Sequence, residues 1–278
     1  MRRKRKDGQE RGFTLIEILA AMGIFLLVTG AAFALLTSSQ QRYTTESQVL
    51  NSFQEARLGL DQMVRDINDA GFPSKAFTNG APSSYAVTPF AWSTGAGYPA
   101  NACQIGTAGG GTCTTASDSA PGDFDIIIET EPNPLDAACA PNCQVQWIRY
   151  QLLGTTLMRG VAPKTGGDPD GATAGQLVPF VENVVNQSPT LQIGLFQLSA
   201  AYPGLFPGGA PVPLFQYTCD TATTPQPCLG LGAPDNAPAN IRDIMITLIV
   251  ASPVPDATNG RPRLVQLGGR GRRINPNQ

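Results

Sequence analysis

Histidine is absent from all 278 residues, which removes every Ser-His-Asp or Cys-His nucleophilic device. Charge is scarce too: Asp, Glu, Lys and Arg make up 14% of the chain, against about a quarter in ordinary globular domains. Proline is missing before Pro73, so nothing forces a break in a helix over the first 72 residues. No C-x-x-C pair occurs, and no glycine-rich loop opens a helix in a way that would cradle phosphate. These absences set aside most catalytic and cofactor-binding classes. The expectation is a protein without enzymatic activity and without a cofactor.

What is present is unevenly placed. Six Arg and Lys residues crowd into residues 1–11 beside Asp7 and Glu10, leaving 13 basic and 19 acidic residues from residue 13 onward. A basic end next to an apolar run stays cytoplasmic under the positive-inside bias, and that adjacency argues against a nucleic-acid arm. Phe13 to Leu36 is apolar except for Glu17 and small or hydroxyl residues, longer than the ~20 residues that cross a bilayer. Beyond it, Tyr43, Leu50, Phe53, Leu60, Val64 and Ile67 recur at spacings of three, four and seven, as one face of a helix would. The pattern predicts one helix from about Phe13 to Ala70, roughly 85 Å long, stopped by the glycine and proline of "AGFP".

After Pro73 the chain turns to Gly, Pro, Ser and Thr, with 30 glycines and 24 prolines in all. Short runs rich in β-branched and aromatic residues follow at 123–130, 145–153, 155–161, 191–198, 213–218, 241–251 and 263–267. Gly154 marks a hairpin turn, "LVPFVENVV" suits a short helix or strand, and no crossover helices appear. The fold class expected is α+β: a long N-terminal helix, apolar and then amphipathic, packed on an antiparallel sheet with long loops.

Six cysteines fall as neighbours, Cys103 with Cys113, Cys139 with Cys143, and Cys219 with Cys228. An even count beyond a membrane segment suggests disulfides, sequential pairing being the simplest of the connectivities open to them. Asp168 and Asp170 in "GGDPDGA" are candidates for Ca²⁺, but too few oxygens surround them in sequence and a plain turn is preferred. Asp123 and Asp125 read as a strand entrance with one face in solvent. Arg261, Arg263, Arg270, Arg272 and Arg273 read as a solvated basic tail, with no interleaved aromatic residues to stack on bases.

The stretch "RGFTLIE", from Arg11 to Glu17, sits behind a basic leader and ahead of the apolar run. It resembles the class III signal of type IV prepilins and pseudopilins. More loosely, 60–73, 145–161, 177–185, 215–220 and 241–252 are similar to PilW-like minor pilins and the related J-type minor pseudopilin of type II secretion. The resemblance implies cleavage by prepilin peptidase between Gly12 and Phe13, N-methylation of Phe13, and a Glu17 carboxylate that pairs with a neighbouring subunit's amine. It implies a cleaved leader at 1–12, a membrane and filament-core half-helix at 13–36, an amphipathic half at 37–72, and a periplasmic β-rich head at 73–278. The partners implied are the peptidase, other pilin or pseudopilin subunits and an inner-membrane assembly platform. The location implied is the bacterial inner membrane and then a filament, the role that of a minor pilus subunit near the tip. The alternatives are a minor pseudopilin and, from another class, a single-pass anchored periplasmic binding module. A plain signal anchor and a Sec signal cleaved after Ala32-Phe33-Ala34 are the bland readings of the apolar run.

Overall fold

The computed structural model describes residues 13–75, 82–92, 105, 121–131, 144–164, 167–220, 225–229, 231, 235–256 and 260–273. Gly12, Cys103, Cys113, Cys139 and Cys143 lie outside them. The chain divides into two compact units, Met1–Ser47 and Gln48–Gln278.

The described part of the first unit, from Leu15 on, is helical. Helix α1 (Leu15–Asn68) starts here and ends in the second unit, within two residues of each boundary expected from the proline-free stretch. In the first unit its large apolar side chains are exposed all round, Leu15 at 79% and Leu27 at 75% among them. The hydroxyls of Thr29 and Thr37 donate to the carbonyls of Phe25 and Phe33, four residues back, so neither needs water as a partner.

In the second unit α1 buries Val49, Ala56, Gly59, Leu60, Met63, Asp66 and Ile67. This corrects the face read from sequence, for Tyr43 and Leu50 are 77% and 58% exposed. One residue is about 100° of helical turn, so Val49 faces inward and Leu50 does not. The helix packs on two sheets. One has five strands in the order β1 (Phe90–Ala91), β2 (Asp125–Thr130), β3 (Gln146–Leu153), β4 (Thr156–Pro163), β5 (Val178–Val181). The short helix α2 (Pro169–Ala174) lies between β4 and β5 in the chain. The hairpin β6 (Gln192–Ile193) and β7 (Phe196–Gln197) leads into α3 (Leu198–Ala201). The second sheet joins β8 (Phe215–Cys219), β9 (Gln226–Pro227), β10 (Ile241–Ala251) and β11 (Leu264–Arg272) in the order β11-β10-β8-β9. Every pairing is antiparallel.

Local chemistry accounts for these elements. Gly154 takes φ +62° at the first turn position between Leu153 and its partner Thr156, where a two-residue hairpin needs glycine. The run 191–198 becomes a hairpin rather than one strand because Gly194, at φ +63°, folds it back. "VPFV" pairs as β5, and Val184 then bridges to Val250, linking the two sheets. Inward-facing Ile126, Ile128, Ile148, Tyr150 and Leu152 meet Ile244, Ile246, Leu248 and Val250 and the α1 stripe in one core.

The helix approaches the second sheet closely because β11 carries glycine beneath it. A Cβ on Gly271 would lie 2.4 Å from Ile67 Cγ2, and one on Gly269 would lie 2.9 Å from Leu60 Cδ1. Gly271→Ala should therefore destabilise the head by about 1–3 kcal/mol through overpacking. Thermal melts of the full chain in detergent check this, with Gly204→Ala, which meets nothing within 4 Å, leaving the melt unchanged.

A polar clamp pins the same stretch of helix to the first sheet. The Tyr150 hydroxyl donates to Asp66 Oδ2 at 2.6 Å, and Arg159 Nη2 reaches the same oxygen at 3.1 Å. Gln62 donates to the other oxygen at 2.7 Å. Burial, reinforced by the Asp66 charge, pushes the Tyr150 phenol well above its ordinary range, so it stays a donor.

A capped, exposed apolar helix as the candidate assembly segment

The residues that carry the sequence motif open α1. Thr14 precedes the first helical residue, Leu15, and Glu17 is the third residue of the helix. Thr14 N–H and Thr14 Oγ1 each donate to Glu17 Oε2 at 2.9 Å, and Glu17 N–H faces Thr14 Oγ1 at 3.4 Å. That is a capping box: the Thr oxygen serves an orphan amide of the first turn and the Glu carboxylate reaches back to the cap. A negative charge in the first turn also suits the positive end of the helix dipole. Both intrachain bonds fall on Oε2, which leaves the lone pairs of Oε1 outside the box. Thr14 is the functional residue that the sequence reading missed. Its signal was the T-x-x-E spacing itself, present in residues 14–17.

Phe13, the residue expected to become the new N-terminus, is 83% exposed. The following helix is long and apolar enough to cross a membrane, and none of its most apolar stretch is buried. Beside the prepilin-type motif, such a helix suits membrane anchoring.

The other candidate residues are placed in structural roles. Asp168 caps α2, its side chain accepting from Asp170 N–H at 3.1 Å. Asp170 turns away to Arg149, 2.5 Å from Nη1. Among the described residues no group of three His, Cys, Asp or Glu could hold a metal ion. Asp125 does not face solvent as expected: Arg149 grips it through Nε at 3.0 Å and Nη2 at 2.7 Å, and the Arg149 side chain is 4% exposed. Burial pushes the Asp125 carboxyl above its usual range, with Arg149 opposing that shift. The Asp123 carbonyl accepts from Leu214 and Phe215 at 2.9 and 3.0 Å. A second buried pair, Lys164 with Glu129, lies on the same outer side of the five-stranded sheet, where Lys164 also donates to Tyr85 O at 2.8 Å.

Cys219 and Cys228 form a disulfide across the β8–β9 turn. The arginines expected to form a solvated tail are strand residues or their flanks. Arg270 Nη2 lies 2.7 Å from Asp243 Oδ2, Arg263 Nη2 lies 3.0 Å from Asp256, and Arg273 Nη1 donates to Ala239 O. Arg261 sits over the Phe196 ring, 5.1 Å from its centroid.

Comparison with known proteins bears on the N-terminal segment. Residues 8–33 match the family described as the prokaryotic N-terminal methylation motif. No curated protein matches the chain. Among solved structures, the type IV-like pilin TTHA1219 from Thermus thermophilus is 10% identical over 81% of this chain and 97% of its own, with a TM-score of 0.34. At that TM-score the two chains share too little geometry for one to speak for the other. What the comparisons assign to this chain is therefore the prokaryotic N-terminal methylation motif over residues 8–33, the stretch that holds the capped glutamate and the start of the exposed apolar helix.

Proposed function

We propose that this chain is a structural subunit of a type IV pilus, anchored in the inner membrane by α1 and then drawn into the filament through the same helix. The observation that carries it is the capped Glu17 at the start of an apolar stretch of helix with none of it buried, inside the matched motif. Prepilin peptidase cuts between Gly12 and Phe13, which removes the six cations that hold the leader at the cytoplasmic surface. The cut leaves Thr14 N–H an amide, so the capping box survives it and the carboxylate stays oriented. Methylated Phe13 then supplies the ammonium that meets Oε1 of Glu17 on a neighbouring subunit. In the apolar setting of packed helices a lone charge is penalised and a paired one is not. Residues 13–36 serve as span and filament core, 37–72 as the amphipathic half, and 73–278 as the periplasmic head. The looser likeness to PilW-like minor pilins favours a minor subunit near the tip. A J-type minor pseudopilin would use the same chemistry and would be told apart by a mutant that loses secretion instead of pili.

Sequencing the N-terminus of protein taken from membranes tests the reading. The expected result is a mature chain beginning at N-methylated Phe13. A chain that keeps Met1 in a host with active prepilin peptidase overturns it and leaves a single-pass anchored binding module.

A further inference from the structure

Three of the four outer edges of the two main sheets are blunted. β1 is two residues long, β5 is four and carries Pro179, and β9 is two, carries Pro227 and is tied by the Cys219–Cys228 disulfide. Short edges and proline are the usual protection against strand addition. The fourth edge, β11, has nine residues, no proline and an unbroken register against β10.

The parity of its backbone is fixed at both ends. Ser252 N–H donates to Arg263 O and Arg273 N–H donates to Arg242 O, so the odd-numbered residues bond to β10. Leu264, Gln266, Gly268 and Arg270 therefore turn their N–H and C=O groups to the open side, a span of about 20 Å. Among the described residues this row is closed only at its far end, where Arg272 N–H donates to Asn68 Oδ1 at 2.8 Å.

Charge selects the occupant. Arg270 and Arg272, two apart on the outer face and 61% and 62% exposed, lean on the buried Asp243 together with Arg242. Arg242 also meets Asp220, so three guanidiniums converge on two carboxylates and a positive excess remains at the edge. Asp243 holds Arg270 in place at 2.7 Å through one nitrogen, which leaves its other N–H groups for a ligand. A second copy of this chain would bring an equally positive edge and be repelled.

We propose that β11 is a strand-addition site for an extended segment of a partner protein that carries carboxylates at alternate positions, facing Arg270 and Arg272. Main-chain bonds to the open row give affinity, and the two arginines set register and preference for acid.

The test uses the full chain in detergent micelles and a fluorescent peptide, Thr-Val-Glu-Val-Glu-Val-Thr, read by anisotropy. A counterpart has lysine in place of both glutamates, and another has every backbone amide N-methylated. The acidic peptide should bind at least about tenfold tighter than the lysine one, and less well in high salt. The N-methylated peptide should not bind, and the double variant Arg270→Glu/Arg272→Glu should invert the preference. Equal binding of the acidic and lysine peptides overturns the proposal. So does binding that survives N-methylation, which would mean a charged surface without strand pairing, and so does no binding at all. Self-association of the chain that displaces the peptide would assign the edge to a second copy and overturn it as well. The comparison among peptides is made on the native chain, so it stands even if the arginine variant fails to fold. None of these outcomes depends on the pilus reading.

Discussion

If the chain is the pilus subunit proposed above, a Glu17→Ala variant is expected to insert and to be cleaved after Gly12, yet to be lost from sheared filaments while it accumulates in the membrane. The substitution removes two things at once, and the geometry separates them. Glu17 closes the capping box through Oε2, and it brings a charge whose Oε1 is left outside the box. Glu17→Gln keeps an acceptor oxygen for Thr14, since glutamine also serves at this position of a capping box, and removes only the charge. Thr14→Ala removes the hydroxyl of the cap and keeps the charge. If pairing with a neighbour's ammonium drives docking, Glu17→Gln should fail as fully as Glu17→Ala, and Thr14→Ala should retain most incorporation. The energetic reason is that a carboxylate among apolar helices is unfavourable until a cation meets it, so docking relieves a penalty that the free subunit carries. Immunoblots of the sheared and membrane fractions, with cleavage followed by mobility, measure both halves of the expectation. Normal incorporation of Glu17→Gln would sink the ion-pair role and leave Glu17 as a helix cap.

The legible parts of this chain are those whose partners are near in sequence. The apolar run from Phe13, the hairpin at Gly154 and the whole of β10 at 241–251 follow from local composition and spacing. The Cys219–Cys228 bond is likewise short-range. What sequence did not yield depends on what lies across the fold. Tyr43 and Leu50 fit a helical repeat, but the repeat that matters is the stripe from Val49 through Ala56, Leu60 and Met63 to Ile67, set by where the sheets lie. Asp123 and Asp125 in "DFDIIIET" read as a strand entrance with one face in solvent. That face is instead covered by α2 and by the segment around Tyr85, which turns Asp125, Glu129, Arg149 and Lys164 into buried charges. The glycines of "LGGRGR" look like a tail because they weaken a strand, yet Gly269 and Gly271 are the residues that let α1 settle on it. At the N-terminus the letters were sufficient and a larger pattern hid a smaller one: the motif explains Glu17 by another molecule, while T-x-x-E explains it within the chain.

Arg149→Met should be the most damaging single substitution in the head, and its cost should depend on pH. Arg149 serves Asp125 on β2 through two parallel bonds and Asp170 on α2 through a third, while Ala172 of α2 packs against the buried Trp147. Removing the guanidinium leaves two carboxylates facing one another, with side chains 14% and 18% exposed. Breaking a buried pair from one side costs about 3–5 kcal/mol near neutral pH, far more than the pair contributes when intact. The sign of the pH dependence follows from Asp125. Burial already raises its carboxyl in the native chain and Arg149 opposes that shift, so loss of Arg149 raises it further. A folded carboxyl above its unfolded value, about 3.9, gives stability that is fully present below that value and lost as pH rises through the folded one. Thermal melts of full-length native and Arg149→Met chains should therefore lie close together near pH 4 and diverge toward pH 7. Adding Asp125→Asn to Arg149→Met should recover part of the loss at pH 7 and little at pH 4. A gap of the same size at both pH values would show that the lost packing of the arginine stem dominates, and that the orphaned charge does not.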